Sequence, residues 1–161
     1  MIQLNSVLVA FDFSETSGYA LQYAQNLASA FGGRLHVVHV ADVISTSAAQ
    51  FYPEGSADPE AKAIELAMTQ LRAYLLAERA QDAEPAVRVA RDPAREIVEY
   101  AREIHADLIV VATHGRAGVS RVIMGSVAEH VVRTARCPVL VVRPSEYAVV
   151  VPDSVNAAAR R

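Results

Sequence analysis

Short apolar runs alternate with stretches in which apolar residues recur at helical spacing. The runs are rich in β-branched residues, which is typical of parallel strands buried on both faces of a sheet. The helical stretches place one apolar stripe each toward such a sheet. The predicted strands are Val7–Phe11, Leu35–Val40, Ala86–Ala90, Asp107–Ala112 and Pro138–Val142.

Four helices are predicted from the stripes and from their start and stop signals. Ser14 or Thr16 is expected to cap the first helix, and the pair Gly32-Gly33 to end it. Asp-Pro pairs begin the second and third helices, because Asp caps well and Pro suits the first helical position. The expected helices are Ser14–Phe31, one from Asp58-Pro59, one from Asp92-Pro93, and Ser126–Arg136.

Strict alternation of five strands and four helices predicts one α/β domain with three layers. Its centre is an open, doubly wound parallel sheet with right-handed crossovers. The third strand alternates apolar and polar residues, so we expect it at an edge of the sheet. A chain of 161 residues suits one such domain and its core.

Composition and charge limit the partners. Fifteen basic and eighteen acidic residues give a net charge of −3, which predicts no general attraction to nucleic acid or to a membrane surface. No apolar run approaches the about 18 residues that span a bilayer, and no signal peptide pattern opens the chain. We therefore expect a cytoplasmic protein. Cys137, the only cysteine, is expected to be a small buried residue, and the five histidines show neither metal-ligand nor catalytic spacing.

The segment from Ala112 to Ser126 carries the strongest candidate chemistry. It joins the fourth strand to the last helix through a loop that contains Gly115 and Gly118 and ends at Gly125. A loop of this kind presents backbone N–H groups and the positive end of a helix dipole to an anion, and glycine lets a ligand approach the backbone closely. The same glycines also suit turn geometry alone, and the residues by themselves leave both interpretations open.

These residues resemble the universal stress protein family, in particular its ATP-binding branch. That branch carries Gly, two residues, Gly, nine residues, Gly, then Ser or Thr. Gly115, Gly125 and Ser126 match the later part of this motif, and Ala112 stands where the family has its first Gly. The first strand, with the acidic residue that follows it, and the last helix and strand match as well, so the resemblance spans roughly residues 5–143.

The resemblance implies the strand order 3-2-1-4-5, in which the chain reverses direction between strands 1 and 4. Ligands in open α/β sheets bind beyond the carboxyl ends of the strands at such a switch point. An ATP site is implied there, with Val40 pairing with the adenine through its backbone and Mg²⁺ bridging the phosphates. The candidate nucleotide-binding residues, including those of the loop, are Ala10, Phe11, Asp12, Val40, Ala112, Thr113, Gly115, Arg116, Gly118, Gly125, Ser126 and Val127.

Several of these residues have a second interpretation. Asp12 and Ser126 each precede or open a helix, where either could serve as a cap. Ala112 favours an alternative function, a dimeric interaction module of the same family that does not bind nucleotide. Nothing in the sequence specifies catalysis, so we expect a nucleotide-dependent stress regulator with at most slow ATP hydrolysis.

The resemblance also implies a homodimer through the last strand, Val139–Val142, whose apolar edge suits pairing with a second copy. We expect the domain to occupy residues 1–143 and a tail to occupy residues 144–161. In that tail, Tyr147–Val151 is a candidate strand across the dimer, and Val155–Arg161 is expected to be disordered. Residues 41–58 are predicted to form a long surface connection and a candidate lid.

Overall fold

The computed structural model describes residues 2–42, 59–113 and 124–143. Five strands and four helices alternate in this part of the chain, as the sequence predicts. In chain order they are β1 Ser6–Ala10, α1 Glu15–Phe31, β2 Arg34–Asp42, α2 Pro59–Ala77, β3 Glu84–Ala90, α3 Pro93–Glu103, β4 Leu108–Ala112, α4 Ser126–Thr134 and β5 Val139–Val142.

The five strands form one parallel sheet in the order β3-β2-β1-β4-β5, which confirms the predicted fold class. The strand with the alternating pattern, β3, lies at one edge, and β5 lies at the other. From β1 the chain adds strands toward one edge of the sheet as far as β3, and with β4 it begins to add them toward the other edge. β1 and β4 pair directly and in parallel, with Val9 opposite Val110. The predicted switch point is therefore present.

Two apolar clusters cover the two faces of the sheet, because successive strand side chains point to opposite sides. Val9 packs with Leu21 of α1 and Leu71 of α2 on one face. Leu8 packs with Val131 of α4, and with residues of α3, on the other. All five side chains are fully buried. We call these the α1/α2 cluster and the α3/α4 cluster.

The ends of α1 and the start of α3 follow the predicted signals. Ser14 caps α1, its side chain accepting a hydrogen bond from the N–H of Ser17. Gly32 ends the helix in the left-handed conformation, with φ at 66°. Asp92 caps α3 in the same way as Ser14 caps α1.

Some predicted boundaries are wrong by one to a few residues. β1 begins at Ser6 and ends at Ala10, so Phe11 lies beyond it. β2 continues to Asp42, because its last residues still pair with β3. α4 ends at Thr134, with Ala135 extended at ψ 146°, so Arg136 lies past the helix and not in its last turn. Pro138 would in any case keep the helix from continuing through Cys137, since the residue before a proline avoids helical geometry.

Other predictions concern residues outside the described ranges. The candidate lid, of which only residues 41–42 are described, and the whole tail with its candidate cross-dimer strand are among them. Among the helices that the structure describes, none combines the length and apolarity needed to cross a membrane.

Candidate functional site

The candidate site lies at the carboxyl ends of β1 and β4, the two strands that meet at the switch point. Asp12 follows β1 closely, and Thr113 directly follows β4. Thr113 is buried, and its N–H donates to the carbonyl oxygen of Val142 on β5 at 2.9 Å. Its own carbonyl oxygen accepts a 2.6 Å hydrogen bond from the N–H of Gly125. This second bond brings the start of α4 to the end of β4.

The start of α4 differs from the predicted one. Gly125 is the N-cap residue, with φ −62° and ψ 149°, and its carbonyl oxygen accepts from the N–H of Glu129 at 2.9 Å. Ser126 is therefore the first residue within the helix, and its interpretation as the N-cap is wrong. Glycine supplies no capping side chain. The first-turn N–H groups of a helix lack acceptors within it, so those of α4, with the positive end of its dipole, begin at the end of β4.

Asp12 supports the cap of α1 without being the cap. Its Oδ1 accepts hydrogen bonds from the N–H of Ser14 at 3.0 Å and from the hydroxyl of Ser14 at 2.5 Å. The Ser14 hydroxyl oxygen then accepts from Ser17. Asp12 thus fixes the turn between β1 and α1, and the carboxylate is held within this turn, just past the end of β1.

The ring of Phe11 belongs to the core. Only 2% of Phe11 is exposed, and its ring lies 4.7 Å from that of Tyr74 on α2 and 5.1 Å from that of Phe13. Phe11 can therefore contribute to a ligand site through its backbone only. Sequence reasoning missed Phe13 and Tyr74 as parts of this edge, although aromatic residues on both sides of Asp12 were a visible signal.

The small and β-branched candidates divide between the two faces. Ala10 and Val40 pack against the α3/α4 cluster. Ala112, in the position of the missing motif glycine, packs against the α1/α2 cluster. Its methyl group therefore has neighbours in the core on that face.

Nine of the twelve candidate residues fall in the described ranges, and the sheet brings them to its carboxyl edge. They include Val127, which is 38% exposed in the first turn of α4. Gly115, Arg116 and Gly118 lie outside the described residues. Glu129 and Arg133 on α4 form an exposed i,i+4 ion pair, 2.6 Å apart, which contributes little stability because both groups are solvated.

Among residues 2–42, 59–113 and 124–143, the remaining candidates for chemistry do not form a second centre. Cys137 is half-buried and not fully buried as predicted. This burial still raises the pKa of its thiol, which keeps the thiol protonated at neutral pH. Over the residues that the structure describes, no three His, Cys, Asp or Glu side chains are grouped in a way that would hold a metal ion.

The strand order defines a doubly wound α/β domain with its switch point between β1 and β4. Residues 4–143 match the sequence model of the universal stress protein family. The chain belongs to that family.

Individual relatives agree with this assignment. The chain is 33% identical to Universal stress protein MJ0531 of Methanocaldococcus jannaschii over 151 residues, covering 85% of this chain and 81% of the relative. It is 34% identical to Universal stress protein YxiE of Bacillus subtilis over 147 residues, covering 86% of this chain and 99% of the relative. The crystal structure of a universal stress protein in complex with cAMP superposes with a TM-score of 0.64 at 26% identity, covering 89% of this chain and 100% of that one.

Proposed function

We propose that this universal stress protein binds ATP in the crevice between the ends of β1 and β4 and acts as a dimeric regulator. The observation that carries this proposal is the hydrogen bond between Gly125 and Thr113, which closes the start of α4 onto the end of β4. An anion binding at this point would meet the first-turn N–H groups of α4 and the positive end of its dipole.

The phosphates are proposed to lie against Gly125, Ser126 and Val127. Gly125 has no Cβ to hold a phosphate away from the backbone, and the Ser126 hydroxyl can donate to a phosphate oxygen. Loop residues Gly115, Arg116 and Gly118 are proposed to complete this part of the site. The sole lysine, Lys62, lies in α2, so we propose that Mg²⁺ and not a lysine neutralises the phosphates.

The nucleoside is proposed to lie over the ends of β1 and β2. The backbone of Val40 is proposed to pair with the adenine there, and Asp12 is proposed to accept a hydrogen bond from a ribose hydroxyl. The relative solved with cAMP supports an adenine nucleotide as the ligand class. Its sequence identity of 26% leaves the choice of ATP to experiment.

Ala112 favours a second candidate function, a dimeric interaction module without nucleotide. In the family motif this position is Gly, and a methyl group there would occupy space close to the ligand. The contact of Ala112 with the α1/α2 cluster supports nucleotide binding, because the methyl group is accommodated on the core side of the strand end.

Two further parts of the proposal concern the assembly and its setting. We propose that β5 pairs with β5 of a second copy, which would cover the apolar edge strand Val139–Val142. We also propose that the protein acts in the cytoplasm by presenting its nucleotide state to a protein partner, with ATP hydrolysis slow or absent.

The test of the proposed function starts with purified protein that is denatured so that any bound nucleotide is released and identified by mass spectrometry. Calorimetric titrations with ATP, GTP and cAMP, each with and without Mg²⁺, then follow on nucleotide-free protein. Co-purified ATP, or binding of ATP in preference to GTP, would support the nucleotide site. A folded protein that binds none of them at millimolar concentration would favour the interaction module.

A further inference from the structure

His39 of β2 joins the middle of the sheet to the turn that follows β1. The side chain is buried, and its Nδ1 lies 2.9 Å from the carbonyl oxygen of Phe11. A carbonyl oxygen only accepts hydrogen bonds, so Nδ1 carries the proton and donates it. The imidazole ring thus links β2 to Phe11, the first residue beyond β1.

The same ring also supports the backbone on the other side of Asp12. Phe13 has φ at 65°, a left-handed conformation that is unusual for a bulky residue and that persists only where its surroundings enforce it. Its ring meets His39 edge-on, with centroids 4.8 Å apart and planes at 62°. Both neighbours of Asp12 in the chain are therefore in contact with His39.

The hydrogen bond to Phe11 also affects Val40. The β1–β2 ladder ends at the pair Ala10 and Val38, and the N–H of Phe11 still donates to the carbonyl oxygen of Val38 at 2.9 Å. Backbone groups two residues apart in a strand point to the same side, so those of Val40 point toward β1, just past its end. If the ladder continued, the carbonyl oxygen of Phe11 would accept the next hydrogen bond from β2. The imidazole of His39 donates to this oxygen instead.

We propose that His39 is the positioning residue of the nucleotide crevice. It holds the chain on both sides of Asp12, at Phe11 and at Phe13, and by donating to the Phe11 carbonyl it leaves the backbone of Val40 directed at an adenine base. This inference rests on the proposed nucleotide function. His39 itself need not touch the ligand.

The test compares His39→Leu with His39→Asn. The two replacements have the same branched shape and both lose the ring, but the Asn amide nitrogen takes the place of Nδ1 and can donate to Phe11. We expect His39→Leu to weaken ATP binding by about tenfold and to reduce the preference for ATP over GTP, because one misplaced hydrogen bond is worth about this factor. His39→Asn should remain within about threefold of the original protein.

Hydrogen exchange supplies a readout that does not need the nucleotide. The N–H of Ser14 donates to Asp12, so its exchange reports whether the turn is held. We expect faster exchange at Ser14 in His39→Leu than in His39→Asn, with similar melting temperatures for the two variants. Equal exchange and equal ATP affinity in the two variants would overturn the inference.

The outcomes also separate this inference from the proposed function. If the original protein binds no nucleotide, the proposed function fails, and the nucleotide part of the role of His39 fails with it. Exchange at Ser14 still decides whether His39 holds the turn. If the original protein binds ATP and His39→Leu binds it equally well, the proposed function stands and the positioning role is wrong.

Discussion

The backbone N–H of Gly125 donates a 2.6 Å hydrogen bond to the carbonyl oxygen of Thr113. Thr113 is itself joined to Val142 on β5, so the start of α4 is held to two neighbouring strands through one residue. This relationship sets where the helix begins and which N–H groups face the crevice. The candidate phosphate site is thus built by backbone geometry.

Replacing Gly125 with Val should prevent ATP binding while α4 remains folded. The φ and ψ of Gly125 lie in the extended region, which Val adopts readily, so the backbone is not strained. The branched side chain would occupy the space proposed for phosphate, and we expect a dissociation constant above about 1 mM. Calorimetry with ATP and Mg²⁺ measures the loss, and circular dichroism checks the fold. Gly125→Ala is the graded control, with an intermediate affinity expected.

Unchanged ATP affinity in a folded Gly125→Val protein would show that the phosphates bind elsewhere. An intact dimer in that variant would show that nucleotide binding and the proposed dimer interface at β5 are independent.

The sequence was sufficient to predict the layers of the fold. Runs of β-branched residues such as the one ending at Ala112 can be recognised as strands, because a strand buried on both faces is apolar at nearly every position. Strand order was not readable from alternation, and it came from the family resemblance. The early end of α4 was missed because the boundary depends on Ala135 turning extended before the last strand, which no local periodicity records.

The candidate site was predicted in part. Asp12 and Thr113 follow strands, so chain position alone places them at the same edge. His39 and Phe13 were missed as a pair, because their contact joins β2 to the turn after β1 and leaves no signal in the spacing of residues. Ser126 was interpreted both as a cap, from residue preference, and as a phosphate ligand; the structure makes Gly125 the cap, one residue earlier, where its N–H also bonds to Thr113.

A proline at Val141 should convert the proposed dimer to a monomer. Pro138 and Val142 both accept backbone hydrogen bonds from β4, so residues that alternate with them, including Val141, point their N–H groups to the open edge. Val141→Pro removes one donor from the dimer interface and leaves the bonds to β4 intact. Light scattering should give a mass near the 17.3 kDa of a single chain in place of twice that value.

The matched control for this prediction is Leu140→Pro. Leu140 faces β4 in the same alternation, so its proline variant should damage the sheet itself and lower the melting temperature more than Val141→Pro does. A stable dimer of Val141→Pro would place the dimer interface somewhere other than β5.

His36 should make stability fall as the pH falls below neutral. It is buried on β2, and desolvation lowers its pKa below the ordinary histidine value of 6.5; Glu84, 3.4 Å away, opposes this shift, and nearby Arg34 adds to it. The unfolded chain then binds the proton more readily than the folded one, so the folded state loses stability as pH falls through 6.5 toward the lowered value. Urea unfolding at pH 7.5, 6.5 and 5.5 measures this loss.

The comparison for His36 is His36→Gln, which does not titrate in this range. We expect the original protein to lose more stability than His36→Gln between pH 7.5 and 5.5, because the other titrating groups are common to both. Parallel pH profiles for the two proteins would show that His36 keeps an ordinary pKa when folded.

The two glycines after α1 should respond differently to alanine. A Cβ on Gly33 would lie 2.0 Å from the carbonyl oxygen of Leu4 and 3.2 Å from the carbonyl carbon of Asn5, both backbone atoms that cannot move aside cheaply. We expect Gly33→Ala to cost about 3 kcal/mol of unfolding free energy. Gly32 is left-handed with nothing within 4 Å of its Cβ position, so Gly32→Ala should cost about 1 kcal/mol, from backbone strain alone. Urea unfolding of both variants tests the difference, and equal costs would mean that the segment before β1 shifts to relieve the contact at Gly33.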